Sequence, residues 1–157
     1  MKKSRIYVDT SVIGGCCDPE FELWSRGLLA DFQRGLFTLL LSAVTHAEIQ
    51  DAPPEVKEVY GDFLDCEHVF LRLTTEAIEL ADAYLGHKIL TENYRDDARH
   101  VALATVGEAD VLASWNFRHV VRYEKIQKFN AVNMELGYKP IAICSPREVS
   151  TYERESR

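Results

Sequence analysis

Arg5-Ile6-Tyr7-Val8-Asp9-Thr10-Ser11 begins as a short apolar run and stops at an acid followed by two hydroxyls. A brief continuous apolar run bounded by polar residues suits a strand covered on both faces. The Gly14-Gly15 pair just beyond predicts a break and a loop. Asp9 then sits at the carboxyl end of a buried strand, where a carboxylate is costly unless it is paired or binds a metal.

The same grammar recurs downstream. Leu36 to Leu41 form a second apolar run, and Ser42 can cap a helix from Ala43 to Gln50 that carries Glu48. Pro53-Pro54 stop that helix and can open another over 55–64. A turn or short extended piece is expected at 68–73, and Thr74 caps a helix with Ala77, Ile78, Ala81 and Leu85 at helical spacing. Asp96-Asp97 start a further helix that ends near Gly107. A strand is expected over Asp110 to Ser114, a long helix over 119–136 and a last strand over 140–144. Strands alternating with helices predict a single α/β domain with a mainly parallel sheet.

Composition agrees. The chain has 157 residues, 46% hydrophobic and 27% charged, with net charge -7. An acidic balance argues against coating nucleic acid without regard to sequence, because that binding rests on lysine and arginine neutralising phosphates. No apolar run nears the roughly 18 residues of a membrane span, and no export signal is read at the start. A cytoplasmic protein with no membrane partner is expected. Cys16, Cys17, Cys66 and Cys144 form no C-x-x-C pair, which leaves no zinc module.

Asp9, Glu48 and Asp97 stand at positions that such a fold can bring together, and clustered carboxylates call for a hard cation. Magnesium or manganese fits, and the implied chemistry is hydrolysis of a phosphodiester by activated water. Taken singly, Asp97 reads equally well as a first-turn acid favoured by the helix dipole, and Glu48 as a solvated helix residue.

Four segments carry a family resemblance: Ile6-Tyr7-Val8-Asp9-Thr10-Ser11-Val12-Ile13, Leu41-Ser42-Ala43-Val44-Thr45-His46-Ala47-Glu48-Ile49, Asp97-Ala98-Arg99-His100-Val101-Ala102-Leu103-Ala104 and Asp110-Val111-Leu112-Ala113-Ser114-Trp115-Asn116-Phe117. In this order they resemble the motifs of PIN domains, and most nearly those of the VapC-type toxins of VapBC toxin–antitoxin pairs. The resemblance implies a three-layer α/β/α sandwich over residues 1–145 with a charged tail over 146–157. It also implies a magnesium- or manganese-dependent endoribonuclease with Asp9, Glu48 and Asp97 at the metal, Ser114 supporting Asp9, an RNA substrate, a cognate antitoxin and a homodimer.

Asn116 stands where many relatives carry a fourth aspartate. It can accept from a metal-bound water but adds no charge, so weaker metal affinity is expected. Asp110 precedes the strand, roughly 13 Å from its far end, and reads as a turn residue.

Arg95 and Arg99 flank Asp97, and Arg118, Arg122 and Lys125 recur at helical spacing after Asn116. They outline either an RNA-phosphate track or a solvated helix face. Trp115, Phe117 and Tyr123 read as core residues or base-stacking surfaces; His100 follows Asp97 by three on the same helix face, a spacing that can serve a metal, but it and His119 read rather as packing or surface histidines. A second reading of the whole is a catalytically weak PIN-fold module that binds RNA or protein. A phosphatase of the haloacid-dehalogenase type is disfavoured because Ser11 occupies the place of its second aspartate.

Overall fold

A computed structural model describes residues 2–152. Strand β1 (Arg5–Val8) lies at the centre of a five-stranded parallel sheet. Its neighbours are β2 (Thr38–Ser42) and β4 (Val111–Ala113), and β3 (His68–Leu71) and β5 (Ala142–Cys144) form the edges. Tyr7 pairs with Leu40 on one side and Leu112 on the other.

Alternation along the strands sorts the core into two layers. Tyr7, Leu40 and Leu112 face α5 (Thr75–Gly86), α6 (Arg95–Val106) and α7 (Tyr123–Glu135). Ile6, Val8, Leu39 and Leu41 face α1 (Thr10–Gly15), α2 (Glu22–Gln33) and α4 (Pro54–Asp65). The short α3 (Ala43–Ile49) begins at Ser42, whose side chain accepts from the Thr45 backbone N–H as expected. The result is the α/β/α sandwich anticipated from the sequence. No helix among the described residues is long and apolar enough to cross a membrane.

Several boundaries differ from the sequence reading. Gly14-Gly15 do not break the chain but close α1, and Asp9 is that helix's N-cap, accepting from Val12 N–H. Gly15 is needed for close approach, because a Cβ there would lie 2.6 Å from Ser25 Oγ and 2.7 Å from Trp115 Nε1. The stretch at 68–71 is a full edge strand paired with β2.

The expected helix over 119–136 begins only at Tyr123. Asn116 caps a turn by accepting from His119 N–H, and Arg122 is extended at φ -142° before the helix starts. Helix α2 was not read from the sequence. It carries a buried acid, Asp31, which accepts from Thr151 N–H at 3.0 Å and Thr151 Oγ at 2.5 Å. Those bonds hold α8 (Pro146–Val149) and the residues after it against α2. Residues 153–157 of the charged tail lie outside the described residues.

Asp110 is the turn residue it was read to be. Its carboxylate accepts from Arg5 N–H at 2.8 Å, at the amino end of the sheet and away from Asp9.

Candidate active site

The parallel sheet places the ends of β1, β2 and β4 side by side, which is where open α/β sheets bind ligands. Asp9 follows β1, Ser42 ends β2, and Ser114 follows β4. Helices α3 and α6 bring Glu48 and Asp97 to the same edge.

Asp9 is buried, and both of its oxygens are held. Ser11 Oγ donates to Oδ1 at 2.5 Å and Ser114 Oγ to Oδ2 at 2.5 Å. Burial raises the Asp9 pKa despite the nearby charge of His100 and these hydroxyl bonds. Asp97 is half-buried and is raised too. Desolvation is the main cause, with repulsion from Asp9 and Glu48 added and attraction to His100 and His119 opposing it. Asp9, Glu48 and Asp97 thus lie near enough for their charges to act on one another.

Glu48 differs. Burial opposes its charge, but His100 and Thr10 outweigh that, and its pKa is lowered. Thr10 Oγ donates to Oε1 at 2.7 Å, and His100 Nε2 lies 2.6 Å from the same oxygen. His100 is buried, as the packing reading has it, and it also bonds the Glu48 carboxylate. Burial opposes its charge, yet the bond to Glu48 and the charges of Asp9, Glu48 and Asp97 raise its pKa. Its place three residues after Asp97, on the same helix face, was the available signal. Tyr7, Thr10 and Ser11 also bond within this cluster and were not singled out.

Asn116 lies beside the cluster, donating its backbone N–H to Ser114 Oγ at 3.0 Å. Its side-chain oxygen accepts from His119 N–H, so it is already engaged in the turn.

The basic residues separate into two groups. Arg95 is ion-paired with Glu92, and Lys125 Nζ donates to the Ile89 carbonyl at 2.5 Å. Arg122 lies 3.5 Å from Glu124, and Arg118 is exposed without an ion pair among the described residues. Arg118 and Arg122 precede α7, so the single helical stripe expected for Arg118, Arg122 and Lys125 does not form. Arg99 is half-buried, and its Nε is buried with no hydrogen bond among the described residues.

Among the aromatics, Trp115 is core, stacked on Phe21 at 4.2 Å with Nε1 bonded to Ser25. Phe117 and Tyr123 are exposed, at 51% and 76%. His119 packs on Tyr94 at 3.8 Å between ring centres.

No trio of histidine, cysteine or acidic side chains among the described residues forms a ready cage for a metal. Hard carboxylate oxygens whose charges repel one another still fit a hydrated cation, which needs only one or two protein carboxylates.

By sequence, no family model and no curated protein matches the chain significantly. By structure, VapBC2 from Rickettsia felis, bound to a DNA fragment from its promoter, is similar at a TM-score of 0.58. That match has 12% identity and covers 88% of this chain and 96% of the other. The chain has a PIN-like, VapC-type fold. VapC20 of Mycobacterium tuberculosis, a sarcin-ricin loop cleaving toxin, shares that fold at a TM-score of 0.54 and 15% identity. The match covers 87% of this chain and 98% of that one. At these identities the VapC likeness extends to the fold.

Proposed function

We propose that this protein is a magnesium- or manganese-dependent endoribonuclease, acting as the toxin of a toxin–antitoxin pair. The observation that carries the reading is the cluster of Asp9, Glu48 and Asp97 at the carboxyl edge of a VapC-type sheet, with Asp9 and Asp97 both destabilised as anions. A bound cation would offset the burial that disfavours both anions, and the repulsion that adds to it at Asp97.

In this reading Asp9, Glu48 and Asp97 bind the ion and orient its attacking water. A bound divalent ion supplies Lewis-acid charge and lowers the pKa of its water. Ser11 and Ser114 fix Asp9 so that both oxygens keep one orientation. Arg118 and Arg122, both exposed, bind RNA phosphates in this reading. Arg99 is assigned to the same role, while Arg95 and Lys125 contribute less because Glu92 and the Ile89 carbonyl hold them. An antitoxin is the expected protein partner by analogy with VapBC2, and a second copy of the chain is proposed beside it.

Asn116 favours a second reading, a weakly catalytic module that binds RNA or protein, since the cluster has one charge fewer than a four-acid site. Cleavage of a mixed RNA pool with and without Mg2+ or Mn2+, beside Asp9→Asn, separates the two. Metal-dependent cutting that the variant lacks supports the nuclease, and silence with both metals supports the binding module.

A further inference from the structure

His100 is buried, yet both of its ring nitrogens meet groups from other elements. Nε2 lies 2.6 Å from Glu48 Oε1 on α3, and Nδ1 lies 2.7 Å from the Tyr7 hydroxyl on β1. That hydroxyl lies 2.7 Å from Ser42 Oγ, the N-cap of α3. The contacts leave α3 at its cap, cross β1 and α6, and return to α3 at Glu48. The Tyr7 and His100 rings meet edge to face, 5.8 Å apart and inclined at 65°. Position and plane of the imidazole are thus both set.

Packing does not account for this arrangement. Tyr7 lies in an apolar layer between Leu40 and Leu112, where phenylalanine would fill nearly the same space without a hydroxyl that must find partners. Glu48 is 33% exposed, so solvent can reach its carboxylate and it has no need of a buried partner. Thr10 and His100 nevertheless converge on the same oxygen, Oε1. Among the described residues no hydrogen bond reaches Oε2.

We propose that His100, steadied by Tyr7, is a positioning residue that holds Glu48 by Oε1 and reserves Oε2 for the divalent cation of the cleft. The proposal rests on the metal-dependent reading above. A glutamate side chain has three free torsions, and fixing them beforehand removes an ordering cost from binding. An ionised Glu48 can only accept, so Nε2 donates in the imidazolium and in the neutral Nε2–H tautomer alike, and the role does not depend on titration.

The test is Mn2+ binding by isothermal titration calorimetry on the full chain, with the melting temperature of each variant measured beside it. His100→Ala is expected to weaken binding by about 10- to 100-fold, the usual range when a partner of a metal ligand is lost. His100→Gln, whose amide nitrogen can still donate to Glu48, is expected to recover most of that loss. Tyr7→Phe keeps the core volume and is expected to weaken binding by roughly 10-fold.

A merely structural role makes affinity follow melting temperature and gives His100→Gln no advantage over His100→Ala, an outcome that overturns the proposal. So does a folded Tyr7→Phe with wild-type affinity, and this variant decides alone if His100→Ala does not fold. Lost binding in Asp9→Asn beside unchanged binding in His100→Ala removes the positioning role and leaves the metal site standing. A wild-type protein that binds no Mn2+ removes the metal-dependent reading, and the positioning role falls with it.

Discussion

Ser114 Oγ stands 2.5 Å from Asp9 Oδ2, joining two strand ends that lie 105 residues apart in the chain. A buried carboxylate depends on such donors, because hydrogen bonds to a charged group contribute about 1.5–3 kcal/mol and neutral ones about 1 kcal/mol. Ser114→Ala is expected to destabilise the protein by about 1.5–3 kcal/mol at pH 7. The cost should shrink in acid, where Asp9 is protonated. Urea denaturation at both pH values measures it, and an equal cost at each would mean that Ser114 does not serve the Asp9 anion.

The site as a whole predicts how stability varies with pH. Asp9 and Asp97 have folded pKa values above 3.8, so the folded state keeps their protons longer than the unfolded state does. Stability therefore falls as pH rises from about 3.8 through the raised values. His100, raised above 6.5, contributes stability below that pH and loses it as pH climbs through its folded value. Glu48, lowered below 4.5, acts in the opposite sense and loses its contribution only on further acidification. Thermal melts in a chelating buffer should show lower stability at pH 8 than at pH 5, with Mg2+ or Mn2+ restoring part of the difference at pH 8. Asp97→Asn should flatten this profile and blunt the response to metal.

Much of this site was legible in the sequence. An acid ending an apolar run placed Asp9, a serine before a helical run placed the cap of α3, and paired acids opening a helix placed Asp97. Long-range hydrogen bonding hid the rest. His100 reads as a packing residue because Glu48 is 52 positions away and Tyr7 is 93. Helix α2 escaped notice because Asp31, an acid on its buried face, breaks the apolar pattern, and its partner Thr151 is 120 residues downstream. Gly14-Gly15 misled for a different reason: the pair looks like a breaker, yet Gly15 answers to the Trp115 ring.

Asn116→Asp tests the missing charge. An aspartate oxygen can accept from His119 N–H as the amide oxygen does, so the turn should survive. Metal affinity is expected to rise several-fold, and metal-free stability at pH 8 to fall as a fourth anion joins the cluster. Calorimetry with Mn2+ and a melt without metal give the two readouts. Unchanged affinity would place Asn116 outside the metal's reach.

The arginines make a graded forecast. Removing Arg118 and Arg122 together should weaken single-stranded RNA binding and flatten its dependence on log salt by about 1.4, from roughly 0.7 for each phosphate contact. Arg95→Ala should do less, because Glu92 already holds that side chain. Fluorescence anisotropy with a labelled oligonucleotide across a salt series measures both. Equal effects from the three positions would argue against the exposed pair as the phosphate track.

The sheet order puts β1 at the centre, between β2 and β4. A parallel sheet wound this way cannot close on its first strand until β4 has arrived, and such non-local pairing is slow to form. A chain interrupted between Asp97 and Val111 would already hold Asp9, Glu48 and Asp97, yet it would lack the strand that flanks Asp9 and the hydroxyl that steadies it. Making the acids is thus separated in time from making the site, and on the proposed reading a copy that stops short of β4 would carry the acids without the activity.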